Sequence, residues 1–438
     1  MPALAPRAPG TGQGARRAAR ERAHHRLGAA RLKYLLYTET YPSLDPASPR
    51  QTGIGRYCHD LADGLVQLGA RVTVLTNTEV GAQGRFDRGG IAVVAERTAA
   101  AGRLGLIARA AGMRSLIRAE APDILLVGDQ LAHQVCSLLG RLPAPYAPIF
   151  YGSELLAMRG ALDAGGSAQR LARTLRRRYV RRARFTVCIS RFTEGLLRAL
   201  QADAPATQIV FPCVSRQVLE QPVRPGATAR LRARLGWPAD SAPVALTVAR
   251  ISERKNQLGV LRALALLRRQ GAPPIRYVVM GNVDAARHES YQAELRAFIG
   301  SNGLDGLVGW IARASDEEKV DALDGCDLSV MLSQAAGDSV EGFGISVAEA
   351  SARGRPVVVS DQGGMPETII EGQTGYAVSP TDPLAAAGAI GRLAADAGLR
   401  ERMGAAGRAF VQAELTPRVM AERLRRAVES AGISRSGR

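Results

Sequence analysis

Glu341 and Glu349 stand eight residues apart in "SVEGFGISVAEASARGRPVVVSDQGGMPE", residues 339 to 367, around a glycine-rich turn. A second glycine pair, Gly363 and Gly364, lies near the end of the stretch. Carboxylates accept hydrogen bonds from sugar hydroxyls, and backbone N–H groups left bare by glycine or exposed at a helix start bind phosphate. A phosphorylated sugar asks for both. "ISVAEASARG" reads as a helix terminated by Gly354, so Glu349 falls about one turn inside it and Glu341 in the preceding loop. The helix start near Gly344 to Ser346 offers free amides and a partial positive potential. "DQGGMPETI" repeats the arrangement, with Met365-Pro366 opening a short helix. One such loop is ordinary in a nucleotide-binding sheet. Two of them, together with both glutamates, favour a site.

Arg250 and Lys255 follow the apolar run "VALTVA" in "VARISERKNQ". Cations at the carboxyl edge of a parallel sheet can neutralise a departing diphosphate, and they also read as a solvated basic loop. Gly53 and Gly55 in "TGIGRY" make a glycine-rich turn without the full G-x-G-x-x-G fingerprint, so they are weak evidence by themselves.

These residues need a frame to position them. From Leu32 onward, short apolar runs alternate with helical patterns, which predicts parallel α/β architecture. The predicted strands of the first half are 34–38, 71–76, 123–127, 147–151, 184–190 and 208–212. Those of the second are 244–249, 276–281, 307–311, 327–332, 355–360 and 374–378. Between the first two strands, "GRYCHDLADGLVQLG" has helical spacing and stops at Gly69. The Pro-rich "LEQPVRPGA" at 219 to 227 interrupts the series. We therefore expect a basic disordered tail at 1–31, a Rossmann-like domain at 32–215 and a linker at 216–228. A second Rossmann-like domain follows at 229–412, then a C-terminal helix and tail at 413–438. Two such doubly wound parallel sheets imply a cleft between them.

The 438 residues suit two domains of roughly 150 to 200 residues each. With 46% hydrophobic and 22% charged residues the composition is that of a globular protein. No run approaches the ~20 apolar residues of a membrane span, and the N-terminus lacks the apolar core of a secretory signal, so the expected location is cytoplasmic. The five cysteines are scattered without metal-ligand spacing and read as reduced, mostly buried thiols. The net charge of +18 points to anionic partners, though arginine is abundant throughout. "RLARTLRRRYVRRARF" at 170 to 185 carries eight arginines. Arg170, Arg173, Arg177, Arg181 and Arg184 are predicted to share one helical face, fit for an anionic membrane surface or simply for solvent. No aromatic-rich RNA-binding sheet motif or recognition helix accompanies the charge, so nucleic acid is not an expected partner.

Residues 32 to about 430 resemble the retaining glycosyltransferases of family GT4, of GT-B fold. The E-x7-E signature Glu341 to Glu349 and "GRPVVVSDQGGMPETI" carry the likeness most specifically. "GIGRY", "CISRFTEGLL", "VARISERK" and "CDLSVMLS" add to it. "GDSVEGFGISVAEA" looks like the branch holding lipid mannosyltransferases and capsule or exopolysaccharide enzymes. The resemblance implies retaining transfer from a nucleotide sugar, GDP-mannose or a UDP-hexose, to a glycan or lipid-linked acceptor. It also implies roles. Glu349 would grip the ribose and Glu341 a hydroxyl of the transferred sugar. Arg250 and Lys255 would clamp the diphosphate, and Phe343, Gly344, Ile345, Gly363, Gly364 and Gly281 would line the donor site. Gly53, Gly55 and Tyr151 would face phosphates or acceptor from the other domain. No D-x-D motif occurs, so no metal and no cofactor is expected. Two departures stand out: Tyr151 in "FYGSELL" replaces the family's histidine, and "PCVS" at 212–215 replaces its "PNGVD". They leave open a catalytically inert sugar-nucleotide or glycan-binding relative.

Overall fold

The computed structural model describes residues 32–43, 52–77, 81–96, 103–156, 167–282, 285–337 and 339–434; the expected basic tail lies outside them. The first sheet is built from β1 (Lys33–Tyr37), β2 (Arg71–Asn77), β3 (Gly84–Arg88), β4 (Ile91–Glu96), β5 (Ile124–Val127), β6 (Tyr146–Phe150), β7 (Thr186–Cys188) and β8 (Thr207–Ile209). Its order is β3-β4-β2-β1-β5-β6-β7-β8. All neighbours are parallel except β3 and β4, which form an antiparallel hairpin at the edge. The second sheet contains β9 (Val244–Val248), β10 (Arg276–Met280), β11 (Val308–Ile311), β12 (Leu328–Met331), β13 (Val357–Ser360) and β14 (Gly375–Val378). It is wholly parallel in the order β11-β10-β9-β12-β13-β14. The chain leaves β9 toward one edge and returns to β12 on the other side, which opens a crevice between the carboxyl ends of those two strands.

The sequence accounts for the elements that matter to this crevice. The helix Gly53–Gln67 starts at Thr52, whose Oγ1 accepts from Gly55 N at 3.0 Å. It buries Tyr57, Cys58, Leu61, Ala62 and Leu65, an i, i+4, i+8 stripe. Gly69, at φ +81, ends it as expected. Apolar side chains from β1, from this helix and from the C-terminal helix Pro417–Ser430 form one core, including Leu36, Leu61, Met420, Leu424 and Val428. Each fully buried aliphatic side chain contributes about 1.5–3 kcal/mol. A Cβ on Gly64 would lie 2.1 Å from the Pro417 carbonyl oxygen, so only glycine lets the two helices approach this closely. The C-terminal helix is therefore part of the N-terminal domain's core, a placement that local sequence does not reveal.

The linker is held too. Arg353 makes a bidentate ion pair with Asp324, at 2.7 and 2.6 Å, and donates through Nη1 to the carbonyls of Val218 and Gln221. The chain crosses between domains a second time beside the first, where Val214 N donates to Leu415 O at 2.8 Å. All five cysteines are free and buried.

Candidate active site

After β9 the chain passes Ala249 and Arg250 and makes a single 3-10 turn, Glu253–Lys255. Asn256 then sits in the left-handed region at φ 50, ψ 47 and caps the helix Gln257–Arg269, its Oδ1 accepting from Gly259 N at 3.0 Å. Its Nδ2 donates to the Pro380 carbonyl. This tight reversal turns Lys255 inward, 9% exposed, while Arg250 stays exposed. Gln334, in the loop after β12, binds the same turn through its N–H to Arg254 O and its Nε2 to Glu253 O.

Glu341 comes from that β12 loop. Its Oε2 accepts from Arg254 Nη1 at 2.6 Å and from Lys255 Nζ at 2.5 Å. Burial works against the charged carboxylate, but Lys255 and Arg254 outweigh it and hold the Glu341 carboxyl down at about 2. Among the described residues, Arg250 makes no ion pair and Glu341 Oε1 makes no hydrogen bond. These groups line a cleft of about 450 Å³ between the domains, closed from the N-terminal side by Gly53, Tyr57 and Tyr151. Phe343, Gly344 and Ile345 also line it. Gly344, at φ +105, opens the helix Ile345–Ala352 with no side-chain cap, which leaves the amides of that helix start at the cleft wall.

Several residues expected at the site lie elsewhere. Glu349 is 5% exposed and does not line the cavity; its Oε1 pairs with Lys319 Nζ at 2.7 Å. Gly363 and Gly364 pack beneath the Glu341 loop. Cβ atoms there would fall 2.3 Å from Glu341 O and 2.0 Å from Gly342 O, and the Gly364 amide is spent on Glu341 O. Gly281, at φ +157, lets the end of β10 cross Ala249, whose carbonyl oxygen would be 2.0 Å from a Cβ. These glycines shape the loop and the strand ends, and none of them lines the cleft. Gly53 faces the cleft, whereas Gly55 packs against Thr40 O. Tyr151 borders the cavity, but its hydroxyl bonds Cys58 Sγ at 3.4 Å and its ring meets Tyr57 edge-on at 5.3 Å. Arg184 lies beyond the helix Ser167–Arg181, and its Nη2 donates to Ala431 O. The expected arginine face is thus reduced to Arg170, Arg173, Arg177 and Arg181.

Arg254 and three contacts across the cleft were not singled out from sequence. Gly342 approaches the Tyr151 carbonyl so closely that a Cβ would be 2.2 Å away. Arg56 donates to Ser215 Oγ at 2.8 Å and reaches Asp316 at 3.5 Å, linking the first helix to the hinge and to the second domain. Glu367 accepts from the amides of Arg191 and Phe192. Arg254 had a visible signal, being one of three cations within six residues. The others had none.

Residues 230–410 match the family model "Glycosyl transferases group 1", and residues 52–213 match "Glycosyl transferase 4-like domain". A GDP-mannose-dependent alpha-(1-6)-phosphatidylinositol monomannoside mannosyltransferase of Mycolicibacterium smegmatis is 32% identical over 257 residues, 58% of this chain and 64% of that protein. A D-inositol 3-phosphate glycosyltransferase of Xylanimonas cellulosilytica is 33% identical over 218 residues, 49% of each. The chain thus spans from about half to just under two thirds of the length of these relatives. Among solved structures, sucrose-phosphate synthase from Thermosynechococcus elongatus superposes with TM-score 0.72 at 20% identity, covering 91% of this chain and 98% of that one. Anabaena HepE in complex with UDP and glucose superposes with TM-score 0.69 at 19% identity, covering 91% and 100%.

Proposed function

We propose that this chain, which belongs to the glycosyl transferases group 1 family and has the GT-B fold, moves a hexosyl unit from a nucleotide sugar to a glycan or glycolipid hydroxyl. Transfer retains the anomeric configuration and needs no divalent metal. The observation that carries this reading is the cation cluster of Arg250, Arg254 and Lys255 around Glu341, at the strand-order reversal of the second sheet. As the acceptor oxygen bonds the anomeric carbon, the bond to the diphosphate breaks and its electron pair stays on the leaving phosphate oxygen. The acceptor proton passes to that oxygen on the same face. Preorganised cations stabilise the growing negative charge most in the transition state. Glu341 Oε1 accepts from a hydroxyl of the transferred sugar, and the amides from Gly344 to Ser346 face the phosphates. Glu349, buried against Lys319 and off the cavity lining, takes no part in donor binding in this reading.

The relatives named for GDP-mannose and for phosphatidylinositol or inositol phosphate support a mannosyl or hexosyl donor and a lipid-linked acceptor. The neighbour bound to UDP and glucose keeps a UDP-hexose in view. No helix among the described residues is long and apolar enough to cross a membrane. The helix Ser167–Arg181 instead supplies a basic face, which suits peripheral docking on anionic lipid at the cytoplasmic side.

The deciding experiment incubates the protein with radiolabelled GDP-mannose, UDP-glucose and UDP-N-acetylglucosamine, with and without membrane lipid extract. Release of nucleotide diphosphate with label transferred to lipid or glycan supports the reading. Proton NMR of the product reads the anomeric configuration, and chelator tests the metal. If no nucleotide sugar binds by calorimetry and none is consumed, the transferase reading falls; binding without turnover makes the chain an inert relative.

A further inference from the structure

A second cavity, about 920 Å³, lies at the other end of the first sheet from the cleft. It opens where β5 and β6 begin, in a frame stiffened by Pro122, Pro143 and Pro145. Four helices finish there, Arg103–Glu120, Gln130–Leu138, Ser167–Arg181 and Pro417–Ser430, and the residues just past the last one, Gly432 to Ser434, close a wall. Five arginines converge on this space from three segments. Arg114 and Arg118 come from the helix Arg103–Glu120, Arg141 from the loop after Gln130–Leu138, and Arg182 and Arg184 from the chain after Ser167–Arg181. Asp123 is the one acid in the lining, and its Oδ2 accepts from Lys33 N at 2.8 Å.

Arginines at helix C-termini have an ordinary use, since each such end carries about half a negative charge. Four ends and Asp123 amount to about three negative charges, so five guanidinium groups leave an excess of about two. Other acids do not remove it. Glu120 and Glu429, in the last turns of two of these helices, pair instead with Arg85 and Arg425, each at 2.6 Å. Among the described residues, none of the five arginines makes an ion pair. Three are held by carbonyls: Arg114 Nη2 donates to Leu139 O at 2.5 Å and to Arg141 O at 3.2 Å, Arg182 Nη1 to Gly140 O at 3.4 Å, and Arg184 Nη2 to Ala431 O at 2.6 Å. These bonds fix the guanidinium planes while using only part of the five donors that each carries. The cations are thus preorganised.

Charge, shape and lining narrow the ligand. Planar guanidinium forks match phosphate oxygens two at a time, and an excess of about two positive charges calls for at least two negative ones. The volume, toward the upper end of the ~300–1,000 Å³ typical of ligand pockets, has room for several phosphate groups. No aromatic face is free to stack a base: Tyr146, the one aromatic residue in the lining, is buried, stacks on Tyr179 at 5.1 Å and donates its hydroxyl to Tyr179 O at 2.6 Å. That disfavours a nucleotide. A recess between helix ends also admits a small solute more readily than a flat bilayer.

We propose that this cavity binds a soluble, multiply charged phosphate anion of the di- or polyphosphate class, at a site separate from the cleft and independent of what the cleft transfers. Because Gly432 to Ser434 continue from the C-terminal helix, a bound anion ties that helix to the first domain and raises thermal stability. Sodium tripolyphosphate is the probe. Arg250→Ala weakens anion binding at the cleft, so calorimetry on this variant should still find one equivalent of tripolyphosphate bound, with a rise in melting temperature. Adding Arg118→Glu and Arg141→Glu should weaken that binding at least tenfold and abolish the rise. Both side chains are exposed, so the melting temperature without anion should not change. Arg296→Glu with Arg402→Glu, at exposed positions of the second domain, makes the same change in net charge and should leave binding intact. An equal loss in that control, or no binding to Arg250→Ala, overturns the site. Sedimentation with phosphatidylglycerol vesicles separates the other source of phosphate: if vesicle binding depends on Arg118 and Arg141 while tripolyphosphate binding does not, a bilayer is the occupant and the soluble anion is overturned.

Discussion

The carboxylate of Glu367 caps the helix that begins at Arg191, with Oε1 2.9 Å from Phe192 N and Oε2 2.8 Å from Arg191 N. Glu367 belongs to the 3-10 turn Met365–Thr368 of the second domain, and the helix Arg191–Leu200 belongs to the first. A helix start exposes unpaired N–H groups and a partial positive charge, so an acidic side chain arriving from the facing domain is a natural latch. The Gly342 approach to Tyr151 packs the same face of the cleft, and both contacts need the domains this close.

Glu367→Ala is expected to loosen that closure. A charge-assisted cap of this kind contributes about 1–2 kcal/mol, a shift of about 5- to 30-fold in a two-state closure equilibrium. Small-angle scattering should show a larger radius of gyration, and the donor KM should rise, while Glu367→Gln, which keeps an acceptor, moves both less. A variant as compact as wild type would show that the cap is not the latch.

Arg250 and Lys255 should separate catalysis from stability. Arg250 is exposed and unpaired among the described residues, so Arg250→Ala should leave the melting temperature within a degree or two and lower kcat about 100-fold. Lys255 is buried against Glu341, and removing one partner of a buried pair costs about 3–5 kcal/mol; Arg254 remains beside Glu341 and reduces that figure. Lys255→Ala should therefore lose both kcat and thermal stability. Differential scanning fluorimetry beside steady-state kinetics checks the contrast, and equal stability losses in the two variants would contradict it.

Asp60 gives a pH signature. It is 6% exposed, and burial pushes its carboxyl up to about 7, with Arg56 at 3.8 Å only partly opposing. An unfolded aspartate titrates at about 3.9, so the folded value is the higher one. The stability linked to protonated Asp60 is whole below about pH 4 and is lost as pH rises to about 7. Asp60→Asn removes this titration. The melting temperature of the variant relative to wild type should climb from pH 4 to pH 7 and level above that; a difference flat across the range would refute the assignment.

Tyr151 should tolerate loss of its hydroxyl. That group is turned to Cys58 rather than into the cleft, so Tyr151→Phe is expected to keep kcat within about threefold and to cost about 1 kcal/mol of stability. A hundredfold fall in kcat with normal folding would show that the phenol reaches substrate.

The basic helix Ser167–Arg181 should govern membrane partition. Near an anionic surface each arginine contributes about 1 kcal/mol, so charge reversal at Arg173, Arg177 and Arg181 should release the protein from vesicles containing anionic lipid. Sedimentation with such vesicles checks this, and unchanged binding would place the docking face elsewhere.

Strands and their order of appearance were legible because period and apolar content are local. The run 71–76 became β2 at Arg71–Asn77, and 276–281 became β10 at Arg276–Met280. The β3–β4 hairpin was not read: "GRFDR" has no apolar alternation, and its residues are exposed or half-buried. At the site, the E-x7-E spacing located both glutamates but not their directions. Gly344 at φ +105 breaks the chain between them, so helical phase does not carry over from Glu349 to Glu341.

Two parallel α/β domains, a cleft at their carboxyl edges and the loops that meet there are written in local pattern, since periodicity, capping residues and glycine turns act over a few residues. Which groups line the cleft depends on how the finished elements meet. Lys255 and Arg254 converge on Glu341 because Asn256 reverses the chain, Glu349 turns to Lys319 from another helix, and Gly363 and Gly364 yield their space to the Glu341 loop. The C-terminal helix returns to the first domain's core for the same reason: contacts between residues hundreds of positions apart depend on how finished elements pack, and no local pattern encodes that.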